Sequence, residues 1–328
     1  MRDFASCIGN HAVTVSYCSG GGGTGSGRSG TGSSGCGGTG SSGGTGSSGS
    51  TASVVVDHAG SALIAVTCFY RATLFTLREV LLRVTWSHAN AGPLLSVAVD
   101  DDSTSARPRE PNALEFSHPL TEKKGTRSCF SGPCAVALHW DISAARYESG
   151  PEPVDGFYVV VVVDSQIALS LGDLSRDFVA EFGDALPLAR CSTICRREQV
   201  LGRRLYYSTK ARFCDGGSDH EITIRCKGYG WDADDSELSV SVDKKPAAHA
   251  RNLRWNFRGN QTVFVDGYPV DVMWDVHDWW FGDSSGQAVF LFRRRSTPES
   301  RLWLEDEALN AEQGISGFSL LIRAFRSP

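Results

Sequence analysis

The sequence lacks the features that mark membrane and exported proteins. Its longest dense apolar run, at residues 157–163, is far shorter than the ~20 residues that a helix needs to cross a bilayer. The amino-terminal stretch, residues 1–18, has no apolar core of signal-peptide length. We therefore expect no membrane span and no export, and we predict a cytoplasmic or nuclear protein.

Charge of either sign is also not in excess. The 328 residues include 32 Lys and Arg against 37 Asp and Glu, for a net charge of −5. Such a balance gives no overall attraction for nucleic acid or for an anionic membrane surface. It argues against a nucleic-acid partner, and any binding of a polyanion would require a local basic patch.

Motifs for metal binding through sulfur and for nucleophilic catalysis are missing. The 10 cysteines are scattered without a C-x-x-C pair, and no G-x-S-x-G elbow is present. Cys129, Cys134, Cys191 and Cys195 are the only clustered set, and we interpret them as reduced, buried thiols rather than zinc ligands. We predict no catalytic residue, no cofactor and no enzymatic activity.

A low-complexity tail opens the chain. From residue 19 to about residue 50 the sequence is almost only Gly, Ser and Thr. This composition buries too little apolar surface to offset its backbone entropy. We predict a disordered tail over residues 1–60 that acts as a flexible tether.

The rest of the chain shows alternation and an internal repeat. Residues 95–100, Leu-Ser-Val-Ala-Val-Asp, recur at 238–243 as Leu-Ser-Val-Ser-Val-Asp. A Trp-Asp pair follows each copy at a similar distance, at Trp140-Asp141 and at Trp274-Asp275. We predict an all-β fold of two tandem antiparallel sandwich-like or barrel-like units related by duplication. Each Trp is expected to be buried, and each Asp to bond a turn amide.

The boundaries follow from breakers and periodicity. We predict a first unit at 61–173, a connector with a short helix at 174–203, and a second unit at 204–328. Residues 157–163 and 167–171 form a hairpin in the first unit, and an insertion separates its counterparts, 288–292 and 318–324. Leu174, Phe178 and Phe182 have helical spacing with Ser175 as a candidate cap, and residues 301–313 are a candidate second helix. Separate sandwiches and one continuous sheet both remain open.

Several stretches resemble a family of plant proteins that carry domain of unknown function 868. They are Met1-Arg2-Asp3-Phe4, Glu122-Lys123-Lys124-Gly125, Gly150-Pro151-Glu152-Pro153-Val154-Asp155-Gly156-Phe157-Tyr158, Tyr207-Ser208-Thr209-Lys210-Ala211, and residues 257–279. The resemblance runs from Cys68 to the end and departs from the family in the tail and at 101–121. It implies a plant protein, and it brings no agreed activity and no catalytic residues.

A set of carboxylates near the second Trp-Asp pair is a candidate metal site. Asp271, Asp275 and His277 have the parity of one strand face and could converge on a metal ion. Val270, Val272 and Trp274, on the opposite face, are expected in the core. The alternative is an ordinary solvated strand face.

Basic and aromatic residues form the candidate binding surface. Two basic groups, Lys123-Lys124 with Arg127 and Arg196-Arg197 with Arg203-Arg204, could meet with a third at residues 293–295 on one face and bind a polyanion. The aromatic run after His277 could leave a ring exposed. Their alternative role is solvated loops and satellite packing. The candidates are Lys123, Lys124, Arg127, Arg203, Arg204, Trp279 and Trp280.

These features favour a non-enzymatic binding or scaffold protein with another protein as its partner. The alternative is a β protein that holds a small apolar or anionic ligand between its units, and a metal-dependent enzyme ranks third. The discriminating observations are an exposed aromatic or basic patch, a closed apolar cavity, and the convergence of Asp271, Asp275 and His277.

Overall fold

Strands make up most of the residues that the structure describes, as the alternation predicts. The computed structural model describes residues 61–89, 92–101, 122–131, 133–214, 216–228, 236–282, 286–295 and 317–327. The predicted disordered tail and the predicted helix at 301–313 lie outside these ranges.

The described residues of the first half form ten strands and one helix: β1 (Ala62–Thr73), β2 (Glu79–Ala89), β3 (Gly92–Asp101), β4 (Lys124–Ser131), β5 (Cys134–Asp141), β6 (Arg146–Tyr147), β7 (Pro153–Asp155), β8 (Tyr158–Val163), β9 (Gln166–Leu171), α1 (Ser175–Phe182) and β10 (Arg190–Gly202). The second half contains the remaining elements: β11 (Tyr206–Ala211), β12 (His220–Lys227), β13 (Glu237–Val242), β14 (Lys245–Arg251), β15 (Arg258–Val265), β16 (Tyr268–Asp275), α2 (His277–Phe281), β17 (Gln287–Arg294) and β18 (Ser319–Arg326).

One long sheet runs through both predicted units. Its eight strands have the order β15-β16-β17-β18-β10-β1-β2-β3. Strand β10 pairs antiparallel with β1 on one side and parallel with β18 on the other. The two units therefore share one continuous sheet. Residues 174–203, expected as a connector, supply α1 and then β10 at the junction of the two halves, which we call the seam.

Two four-stranded sheets pack against the same side of this long sheet, and each encloses a core. Strands β4-β5-β8-β9 cover the β1–β3 half, and strands β11-β12-β13-β14 cover the β15–β18 half. Trp86 and Trp140 are fully buried in the first core, and Phe290 and Phe292 in the second. Truncation of one such side chain typically costs about 3–5 kcal/mol, so these rings hold the layers together.

The two Trp-Asp pairs occupy the last positions of β5 and β16. Asp141 accepts a hydrogen bond from the Ser143 amide at 3.0 Å, and Asp275 accepts one from the His277 amide at 3.0 Å. Trp140 and Trp274 are both buried. The predicted roles of the pair are confirmed, whereas the duplication itself stays a prediction.

A glycine lies opposite each of these tryptophans. Gly125 pairs with Trp140 and Gly259 pairs with Trp274 across neighbouring strands. A Cβ atom at Gly125 would lie 2.7 Å from the Trp140 ring, and one at Gly259 would lie 2.2 Å from the Trp274 ring. No larger residue fits under either ring unless the ring moves.

The helices agree only in part with the sequence predictions. Helix α1 is confirmed, and it covers the outer side of β8 and β9, where Phe178 and Val179 pack on a third small cluster. Ser175 does not cap it, because its hydroxyl donates to the Gly172 carbonyl at 2.7 Å. The expectation that the strand continues to His277 was wrong, since β16 ends at Asp275 and α2 begins at His277. No described helix has the length and apolar character to cross a membrane.

Candidate functional site

The candidate metal ligands do not converge. Asp271 accepts a hydrogen bond from Arg295 Nε at 2.6 Å, and Asp275 accepts one from Arg258 Nε at 2.7 Å. His277 lies beyond the strand, in α2, where its ring contacts Phe257. Across the described ranges, no group of three His, Cys, Asp or Glu side chains could hold a metal ion. The carboxylates are balanced by arginine instead.

The candidate aromatics belong to the second core. Trp279 is 3% exposed, and its carbonyl accepts a hydrogen bond from Arg326. Trp280 is partly buried against the same core. Among the described tryptophans, Trp255 is the exposed one, at 77%, in the connection between β14 and β15. The predicted aromatic surface is therefore not at Trp279 or Trp280.

The two candidate basic groups lie on different elements. Lys124 and Arg127 are on β4, whose main neighbours are β5 and β3, with Lys123 just before it. Lys124 Nζ lies 2.9 Å from Asp141, and the Arg127 guanidinium lies 6.0 Å from the Trp140 ring centre. Arg203 and Arg204 are in the turn between β10 and β11. The structure does not join these groups into one patch.

Strand β10 carries a buried ionic network on its inner face. Glu198 is 1% exposed and accepts hydrogen bonds from Arg196 Nε at 2.7 Å, from the Tyr207 hydroxyl at 3.1 Å and from the Thr209 hydroxyl at 2.8 Å. Arg196 Nη2 also lies 2.8 Å from Glu152. Because β11 supplies Tyr207 and Thr209 while Glu152 precedes β7, the network joins the two halves at the seam.

Burial and charge set the protonation states in this network. Burial alone would lower the pKa of Arg196, but Glu152 and Glu198 raise it well above its usual value. Burial, and then Glu198, raise the pKa of Tyr207. Burial raises the pKa of the Cys68 thiol to about 11, against the effect of Arg196. These groups stay in one protonation state near neutral pH, which makes the network a structural link.

The outer face of β10 carries a different set of charged side chains from the inner face. Arg197 lies between Arg196 and Glu198 in sequence, so it has the opposite orientation, and its guanidinium lies 4.5 Å from the Phe69 ring centre. On β18, Arg323 lies on the same outer face, since Gln199 is its pairing partner. We call Arg197 and Arg323 the seam arginine pair.

The seam arginine pair has no acidic partner. The Nε atoms of Arg197 and Arg323 are buried and make no hydrogen bond. Burial, and then the charge of Arg197, lower the pKa of Arg323. No carboxylate within the described residues forms an ion pair with either guanidinium. Buried polar groups rarely lack a hydrogen-bond partner in folded proteins. An anion that binds at the seam arginine pair would accept hydrogen bonds from two charged donors.

Other side chains of this outer face are polar donors. Thr67 of β1 pairs with Arg197 on one side and Thr85 on the other, and the two threonine hydroxyls lie 3.0 Å apart. Gln199 is on the same face of β10. These neighbouring side chains can therefore donate hydrogen bonds to an anion, and they carry no negative charge themselves.

A separate charged cluster closes the far end of the second sandwich. His220 Nδ1 lies 2.6 Å from Asp243, in the β13–β14 turn, and His220 Nε2 lies 2.9 Å from Asp266, in the β15–β16 turn. Burial lowers the pKa of His220, but the two carboxylates outweigh it and the net shift is upward. This histidine clamp ties the two sheets together.

Sequence reasoning missed the seam for an identifiable reason. Arg196 and Glu198 share the parity of the buried Val200, so alternation alone could have placed them inside. The same alternation puts Arg197 and Arg323 on an outer face. The two arginines become neighbours only through the parallel pairing of β10 with β18, and no local sequence pattern predicts that pairing.

Comparison with known proteins assigns the chain to a family but gives no activity. Residues 61–326 match the family described as plant protein of unknown function, DUF868. The chain belongs to this family. Neither the curated proteins nor the solved structures give a significant match.

Proposed function

We propose that this protein is a non-enzymatic binding module whose outer sheet face, around the seam arginine pair, binds an acidic segment of another protein. The observation that supports it is the pair itself: two neighbouring guanidinium groups without a carboxylate partner among the described residues. Like charges held together reduce the stability of the free protein. Such groups occur at binding sites, where a ligand supplies the missing charge.

The shape of the face favours a macromolecule. Eight strands at a spacing of about 4.8 Å form a surface roughly 34 Å wide. This width suits a protein interface, which typically buries about 800 Å² on each partner. Towards β15 the same face carries the balanced pairs Asp271–Arg295 and Asp275–Arg258. An acidic partner segment is therefore directed to the seam.

We propose that the protein acts in the cytoplasm or the nucleus. Every cysteine within the described residues is a free thiol. Reducing compartments keep thiols in this state, and Cys195, next to Phe69 on the outer face, would otherwise be open to oxidation.

A ligand held between the units is the second hypothesis, and the seam argues against it. On its inner side the seam is filled by the Glu198 network, whose members already satisfy one another. A small anion at the seam arginine pair would use the outer face instead, and the experiment below separates it from a protein partner.

The test uses the full chain expressed with an affinity tag in plant tissue. A photo-crosslinking residue replaces Gln199, which pairs with Arg323, and a control version carries it at the exposed Ser208. We expect a crosslink to an acidic segment of one protein from position 199 and not from position 208. Native mass spectrometry of the same sample detects a small ligand.

Charge reversal makes the test specific. The double variant R197E/R323E should abolish the crosslink, whereas R176E/R190E, with the same change of net charge at two exposed positions, should keep it. A partner retained by R197E/R323E, or a chain that carries only a small molecule, would contradict the proposal.

A further inference from the structure

The seam arginine pair holds more positive charge than a single carboxylate can balance. We propose that it selects a phosphate monoester on the partner protein, in preference to an aspartate or glutamate side chain. This inference rests on the proposed function and narrows it to a phosphorylated segment. The phosphate binds without any covalent step.

The charge balance is the first argument. The two arginines lie on adjacent strands of the outer face, two positions apart in register, and no described carboxylate pairs with either. A carboxylate would leave one positive charge uncompensated, whereas a phosphate monoester carries about −1.5 to −2 at neutral pH. Each arginine can then donate to a different oxygen of one group, which removes their mutual repulsion.

The supply of donors is the second argument. The aromatic ring of Phe69 holds the Arg197 guanidinium at 4.5 Å, which limits the side-chain freedom that binding would otherwise remove. The neighbouring Thr67 and Thr85 hydroxyls and the Gln199 amide can serve further oxygens. A phosphate offers three strong acceptor oxygens and a carboxylate only two.

The distribution of charge favours a protein-borne phosphate over a lipid headgroup. A bilayer would contact most of the sheet face at once, including Asp271 and Asp275, whose charges are already balanced by arginine. The strongly exposed apolar side chains that could enter a bilayer are spread over both halves, such as Phe75 and Leu77 in the first half and Trp255 and Phe264 in the second, and none of those described is on β10 or β18. The seam arginine pair, by contrast, has no counter-charge among the described residues.

The experiment follows the arginine Nε–Hε signals of the full chain by NMR. The probes are N-acetyl-O-phosphoserine amide and N-acetylglutamate amide, added at matched ionic strength. We expect the signals of Arg197 and Arg323 to shift in a saturable way with phosphoserine, with an affinity about tenfold higher than for glutamate. The R323Q variant should lose this preference, and R190Q, at an exposed position of β10, should retain it.

The pH dependence gives an independent readout. The second pKa of a phosphate monoester is about 6, so its affinity should rise between about pH 5 and pH 7.5. The affinity of the glutamate probe should stay nearly flat there, because its carboxyl pKa is about 4.3.

Each outcome separates the two proposals. Equal affinity for both probes contradicts phosphate selection and leaves an acid-binding face in place. No shift with either probe contradicts the proposed function as well. Vesicles of phosphatidylcholine with a phosphoinositide provide the lipid arm: binding that needs the seam arginine pair and resists competition by phosphoserine would overturn the protein-borne source.

Discussion

Arg196 and Arg197 are neighbours in sequence, yet they lie on opposite faces of β10 in opposite circumstances. Arg196 is held between Glu152 and Glu198 inside the seam. Arg197 faces outward with an aromatic ring at 4.5 Å and no acidic partner among the described residues. The comparison shows that the inner face of this strand supplies carboxylate partners for its arginine. The outer face supplies none among the described residues.

The inner arginine is a structural link, and the outer one is available for binding. A buried ion pair contributes little beyond what apolar packing would give, but breaking it is strongly destabilising. Removal of an arginine that has no acidic partner is not expected to destabilise the fold in this way, because it relieves the repulsion between Arg197 and Arg323. The variants below test this contrast by changing one side of it at a time.

The largest effect is expected from Arg196→Met. The change leaves Glu198 buried without its positive partner, and places Glu198 and Glu152 near each other with like charge. We expect a loss of about 3–5 kcal/mol in the free energy of unfolding, measured with urea. Arg197→Met is the matched control, and we expect it to change this free energy by less than about 1 kcal/mol in either direction. Equal losses in the two variants would contradict the contrast between the faces.

A smaller effect is expected from Glu198→Gln. The amide keeps the shape and some hydrogen bonds to Tyr207 and Thr209, but it removes the charge that balances Arg196. We expect a loss of about 1–3 kcal/mol. Glu152→Gln, which changes the more exposed partner, should cost less than about 1 kcal/mol. The reverse order would mean that Glu152 is the dominant partner of Arg196.

The histidine clamp, formed by His220, Asp243 and Asp266, should make the stability of the second half depend on pH. The pKa of His220 is raised above 6.5, so its stabilising effect is complete below pH 6.5 and is lost as the pH rises through the raised value. The pKa values of Asp243 and Asp266 are lowered below 3.8, so their effect is lost only as the pH falls below that value.

We therefore expect the stability from the clamp to be greatest between about pH 4 and pH 6.5 and to decline above it. His220→Gln should remove this decline in thermal unfolding measured across pH. His249→Gln, which changes an exposed histidine paired with Glu237, is the control. A decline that persists in His220→Gln would assign it to another group.

The sequence predicted the local structure of this protein better than its long-range pairing. Alternation and turn residues located the β8–β9 hairpin, and helical spacing located α1. The Trp-Asp pairs were placed correctly because burial and a turn amide are local requirements. Helix α2 was missed because its three aromatics also suit a strand.

Long-range pairing limited the prediction of the site. The continuous sheet depends on β10 lying beside β18, and these strands are far apart in sequence. Asp271 and Asp275 suggested a metal site because their arginine partners, Arg295 and Arg258, come from other positions of the fold. The sequence alone does not show whether a carboxylate is already paired with an arginine or a lysine in the fold.

The measurement that tests the central claim most directly is the free energy of unfolding of Arg323→Met together with its partner binding. Methionine keeps the apolar stem and removes the charge next to Arg197. The account predicts a gain of up to about 1 kcal/mol, a smaller gain at high salt, and loss of the position-199 crosslink. Arg190→Met should change neither quantity. A destabilised Arg323→Met that still binds its partner would contradict the account.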